Sequence, residues 1–176
     1  DHCGFTAVAL ADRIRIPLIH TLHGPFNRDT GDFYREHGED AWLVAISEAQ
    51  RDSAPRGVRI AGVVPNPIEV ADWPLETEKD GYVLWMARFD DDKGAHRAIA
   101  AARQADIPLV LAGPVQPGQE SYYEQEIEPH VDGDRVRYAG EVGGAEKQKL
   151  FAKARALLMP IRWNEPFGMV MVEALA

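Results

Sequence analysis

Short apolar runs of strand length alternate with helical patterns along most of the chain. Residues 17–22 read as a buried strand, 42–46 and 58–64 read as further strands, and Pro65-Asn66-Pro67 stops the third firmly. Between them, residues 5–14 carry a mostly apolar helical spacing, and the polar stretch 27–40 fits a loop with one helix. Ser47 suits an N-cap, with Glu48 in the first helical turn after it. Residues 69–80 are charged and irregular, which predicts a domain boundary. Beyond it, strands are expected over 82–87, 108–112, 136–139 and 156–161, with helices over 95–105, 122–128 and 145–154. The spacing of Met169, Val172 and Leu175 suits one face of a last helix. This strand–helix beat predicts an α/β fold with parallel sheets covered on both faces, and no internal repeat is visible.

Composition narrows the function classes. Hydrophobic residues make up 45% of 176 residues, enough for a sizeable core. No run approaches the length of a membrane span, so no integral membrane segment is expected. A net charge of −9 argues against a nucleic-acid partner and leaves an anionic ligand dependent on a few local cations. The single cysteine, Cys3, excludes an internal disulfide framework and suits a reducing, cytoplasmic setting.

In parallel sheets, ligands bind at the carboxyl ends of the strands. The loop after the 82–87 strand carries Arg88 at the strand end and Lys93 just before the next helix. Such a pair of cations can hold a diphosphate and stabilise it as it departs; the alternative is a solvated loop whose charges pair with Asp90, Asp91 and Asp92. The stretch lacks the glycine-rich phosphate loop ending in Gly-Lys-Ser/Thr, which disfavours a nucleoside triphosphatase. After the last apolar run, Glu165-Pro166-Phe167-Gly168-Met169-Val170 leads into the last helix, which carries Glu173. Helix N-terminal N–H groups seat phosphate, and Gly168 permits close approach of a ligand to the backbone. Two carboxylates beside such a seat suit hydroxyl groups rather than the phosphates themselves. His2, Cys3, His20 and His23 match no tight zinc spacing, and no metal is expected. His2 is the better candidate for a polar site residue. Ser47 lacks a glycine elbow, which disfavours a serine hydrolase.

Together these motifs resemble the retaining glycosyltransferases of the GT-B fold, in particular the large family 4 group. The stretch from Glu165 to Glu173 looks like that family's Glu-x7-Glu motif, and Arg88-Phe89 to Lys93-Gly94 is similar to its Gly-Arg…Lys-Gly loop. Thr21-Leu22-His23-Gly24, Ala45-Ile46-Ser47 and Val64-Pro65-Asn66 resemble its first-domain landmarks, in the family's order. Ala87 and Pro67 stand where the family usually has glycine.

The resemblance implies two Rossmann-like domains facing across a cleft, both incomplete here. Residues 1–72 would be the C-terminal part of the acceptor-side domain, and residues 73–176 most of the nucleotide-sugar donor domain. By comparison with the family, the early first-domain strands and the tail after the last helix are absent, so the chain is expected to be a fragment. Arg88 and Lys93 would contact the donor diphosphate, Glu165 the sugar hydroxyls and Glu173 the ribose. Phe167, Gly168, Met169 and Val170 would lie against the donor, and Gly140 and Glu141 near its base. His2 would match a histidine on the sugar side.

The implied reaction moves a sugar from a nucleotide-diphosphate donor to a sugar, lipid or small-molecule acceptor, with retention and no cofactor. Two alternatives stand beside it. A sugar-nucleotide epimerase would convert a donor with no acceptor added, and a non-catalytic remnant would bind a nucleotide-sugar without turnover.

Overall fold

The computed structural model describes every residue of the chain except Cys3. The chain divides into two compact units, Asp1–Pro67 with Asn164–Gly168 and Ile68–Trp163 with Met169–Ala176.

The first unit holds a parallel sheet in the order β1 (Leu18–Thr21), β2 (Ala41–Ala45), β3 (Ile60–Val63). Leu18 aligns with Ala41, and Ala45 with Val63. Residues 5–14 form α1 (Thr6–Ala9) and a separate 3-10 turn, Ala11–Arg13, rather than one helix. The polar stretch folds as α2 (Arg28–His37), started by a capping box between Asn27 and Thr30. Val8, Leu22, Tyr34 and Leu43 form this unit's core on one face of the sheet. The strands are not buried on both faces as expected. Successive side chains point to opposite sides of a sheet, and Ile19 and its register partner Trp42 stay 57% and 60% exposed. At the carboxyl edge Gln50, in α3 (Glu48–Asp52), is 2% exposed. Its amide donates to Leu22 O (3.2 Å) and Gly24 O (2.8 Å) and accepts from Ile46 N (2.8 Å). One side chain therefore fastens the loops after β1 and β2 together.

The second unit has a parallel sheet in the order β6 (Val136–Tyr138), β5 (Leu109–Ala112), β4 (Val83–Met86), β7 (Ala156–Leu157). The apolar runs of β4 and β5 are buried on both faces, as parallel central strands require. Val83, Trp85, Leu109 and Leu111 pack with Ala95, Ala98, Ile99 and Ala102 of α4 (Ala95–Gln104) on one side. Leu84 and Val110 pack with Phe151 and Ala154 on the other, at α6 (Gly144–Lys153). Between these, α5 spans Glu120–Glu126, and Glu128–His130 form a 3-10 turn around Pro129.

Two expectations fail here. The strand expected over 156–161 pairs only at Ala156 and Leu157, with Leu158 N still donating to Leu84 O. Pro160 has no N–H to extend the ladder, and its carbonyl accepts from Arg97 Nε (2.7 Å). The face expected of Met169, Val172 and Leu175 in α7 (Met169–Leu175) is not the packed one. Val170 packs against the Tyr82–Leu84–Val110 core, while Leu175 is 88% exposed.

The carboxyl edge of this sheet is laced by backbone. Gly113 lies at φ +136°, and a Cβ there would meet Ala87 O at 1.9 Å. Gly113 N donates to Gly140 O (2.8 Å), and the Tyr138 hydroxyl donates to Gly113 O (2.8 Å). Phe89 N donates to Pro114 O (3.0 Å). The loops after β4, β5 and β6 therefore form one seam.

Replacing Gly113 by alanine should lower the unfolding free energy by at least about 2 kcal/mol, because both the backbone region and the space are closed to a side chain. Gln50→Leu should cost about 2 kcal/mol or more, since it strands a buried amide and two carbonyls. Chemical denaturation checks both, and unchanged midpoints would contradict these roles.

Candidate functional site

The Arg88–Lys93 loop is built from behind by aromatic packing. Phe89 is fully buried, with ring centroids 4.9 Å from Trp85, 5.1 Å from Tyr123 and 5.3 Å from Tyr138. Burying residue 89 turns its neighbour outward, and Arg88 is exposed at the carboxyl end of β4. Its guanidinium, open to solvent, pairs with none of Asp90, Asp91 and Asp92. Those aspartates serve the local turn instead. Asp90 Oδ1 accepts from Asp92 N (3.0 Å), and Asp91–Lys93 form a 3-10 turn ended by Gly94 in the left-handed region.

Arg97, in the first turn of α4, holds that turn. Its Nη2 donates to Asp91 O (2.9 Å) and Asp92 O (3.1 Å), while its Nε reaches Pro160 O. Trp85 Nε1 donates to Lys93 O (3.1 Å), which fixes the backbone of Lys93. The Lys93 ammonium lies 4.2 Å from the ring centroid of Trp163, over its face. A side chain at Gly94 would collide with Pro160 O at 2.6 Å, so the turn and the segment after β7 are fitted together by the absence of a Cβ.

The loop after β6 carries Gly140 at φ +80° and the exposed Glu141. Burial raises the pKa of the Tyr138 phenol, and the Glu141 carboxylate adds to the rise. The phenol thus remains a donor to Gly113 O. Glu173 is reached from α6: Lys147 Nζ donates to Glu173 Oε1 at 2.5 Å. Among the residues singled out in the sequence, the second unit brings Arg88, Gly140 and Glu141 to one laced edge. It places Glu173 against Lys147, and Met169 and Val170 in the first turn of α7.

In the first unit, Glu165, Phe167 and Gly168 belong to the 164–168 segment. Ser47 Oγ caps α3 by accepting from Gln50 N (3.0 Å) and donates to Pro166 O (2.5 Å). Pro166 and Gly168 are buried, and Gly168 has φ +78°. His2 Nδ1 is 2.9 Å from His23 Nε2, beside a cavity of about 160 Å³ also lined by Thr30 and Tyr34. Buried His20 bonds the Asp1 carboxylate at Nδ1 (2.8 Å) and the Tyr34 hydroxyl at Nε2 (3.0 Å). Burial, aided by nearby positive charge including His2, lowers its pKa, and burial does the same to His23. Neutral rings suit these hydrogen bonds. Cys3 lies outside the described residues, among which no group of three or more His, Cys, Asp or Glu is placed to hold a metal. Among the described residues, no helix is long and apolar enough to cross a membrane.

Sequence reasoning missed Gln50, Arg97, Lys147 and Trp163, because each acts through a partner distant in the chain. Only Arg97 had a local signal, a guanidinium one turn beyond Lys93-Gly94.

The mycobacterial phosphatidyl-myo-inositol mannosyltransferase of Mycolicibacterium smegmatis is 26% identical over 91% of this chain and 45% of its own length. The chain spans about half the length of the curated relatives it matches. AviGT4, a glycosyltransferase involved in avilamycin A biosynthesis, superposes with a TM-score of 0.66 and 29% identity over 89% of this chain and 45% of that one. The pneumococcal O-GlcNAc transferase GtfA, solved with UDP and GlcNAc, shares the fold with a TM-score of 0.65 and 13% identity, over 90% of this chain and 35% of that one. The architecture is that of GT-B glycosyltransferases. The family of glycosyl transferases group 1 matches residues 69–176, essentially the whole laced sheet and its site loops, and the chain belongs to that family.

Proposed function

We propose that the protein is a retaining glycosyltransferase that moves a sugar from a nucleotide-diphosphate donor to an acceptor hydroxyl. The carrying observation is the exposed Arg88 guanidinium, unclaimed by its neighbouring aspartates and set at the carboxyl edge of the sheet beside the braced Lys93 turn. The shared family supports the same class, and a neighbour of the same fold was solved with UDP and GlcNAc.

In this reading Arg88 and Lys93 bind the diphosphate, and the backbone of Gly168, Met169 and Val170 lies against its oxygens. Glu165 accepts hydroxyls of the transferred sugar and Glu173 those of the ribose. Gly140 and Glu141 lie near the base, Phe167 flanks the donor, and His2 faces the sugar side. As the bond from the anomeric carbon to the diphosphate oxygen breaks, negative charge grows on the leaving group. Two cations beside the leaving group stabilise that charge. The acceptor hydroxyl attacks on the face the diphosphate leaves, and a phosphate oxygen takes its proton. The configuration is thereby retained, and no cofactor is needed.

Lys93→Ala in the intact protein should lower kcat by about 10²–10³, the scale of a lost charge-stabilising donor. Steady-state kinetics with the processed donor checks it, and near-normal turnover would remove Lys93 from the mechanism.

A further inference from the structure

The geometry points to Lys147 as a positioning residue that presents the Glu173 carboxylate to the donor ribose. This rests on the reading of Glu173 given above and adds the group that aims it.

Glu173 sits in the second turn of α7 with its side chain 10% exposed, and Lys147 comes from α6 with 28% exposed. Their 2.5 Å contact joins two helices that no sequence motif links. A pair so enclosed has little water to compete with it, so its geometry is held more firmly than that of a surface ion pair. Lys147 is itself located from the other side. Its ammonium lies 5.8 Å from the Trp73 ring centroid, and Trp73 stacks edge-on against Phe151 (5.4 Å, 80°) in the core.

The ammonium engages Oε1, which leaves Oε2 to accept a hydroxyl. A glutamate without this anchor would sample several rotamers, and the entropy of fixing one would fall on ligand binding. Lys147 thereby acts through Glu173 and touches no ligand.

Calorimetric titration of the intact protein with the ribonucleoside diphosphate it binds, chosen among UDP, GDP and ADP, and with its 2′,3′-dideoxy counterpart tests this. The wild type should favour the ribo form by about tenfold or more, the worth of a hydrogen bond to a charged group. Lys147→Met should erase most of that preference, and Lys147→Arg should restore it. A Lys147→Met protein with the full preference would overturn the role of Lys147. If Glu173→Gln loses the preference in that case, the ribose reading survives. A wild type with no preference overturns both. If Lys147→Met does not fold, a crystal structure of the wild type with bound nucleoside diphosphate decides. Lys147 within hydrogen-bond reach of a ribose-bound Glu173 supports the role, and a separated pair overturns it.

Discussion

The backbone of Gly113 rests against the carbonyl of Ala87, and the carboxyl edge of the second sheet depends on that approach. No residue with a Cβ fits there. Closing that gap brings Gly140 O and the Tyr138 hydroxyl into bonding range of the Gly113 peptide groups. Three strand ends become one surface. Arg88 leaves that surface one residue after Ala87, with its direction set by the buried Phe89. The seam fixes the backbone from which the exposed Arg88 side chain leaves the sheet edge.

The same economy appears at the neighbouring turn. Arg97 spends its donors on backbone carbonyls of Asp91, Asp92 and Pro160, so one guanidinium ties the β4 loop to the segment after β7. Trp85 fixes the Lys93 carbonyl from the core, and Trp163 lies under its ammonium. Lys147 does for Glu173 what these residues do for Lys93. In each case the side chain expected to meet ligand is held by one that is not.

Much of this was legible in the sequence. Strands β4 and β5 follow from runs too apolar for an exposed face, and the Ser47 cap follows from its place before Glu48. The position of Arg88 at a strand end follows from the same pattern. What stayed hidden depends on partners far away in the chain. The ladder beyond Leu157 stops because Pro160 has no N–H and its carbonyl goes to Arg97, although 156–161 is apolar throughout. Val170 rather than Leu175 packs inward because the core offers a place beside Phe151 and Leu84, which periodicity in a short helix does not encode. Ile19 reads as buried in sequence, yet it stands on the open side of the first sheet beside Trp42.

The proposed function makes this edge a seat for a nucleotide-diphosphate sugar. The most direct measurement is calorimetric titration of the intact, folded protein with UDP-, GDP- and ADP-sugars. Saturable one-to-one binding to a donor of at least one of these bases is expected, with thermal stabilisation of the protein by the same compound. A folded protein that binds none of them would contradict it.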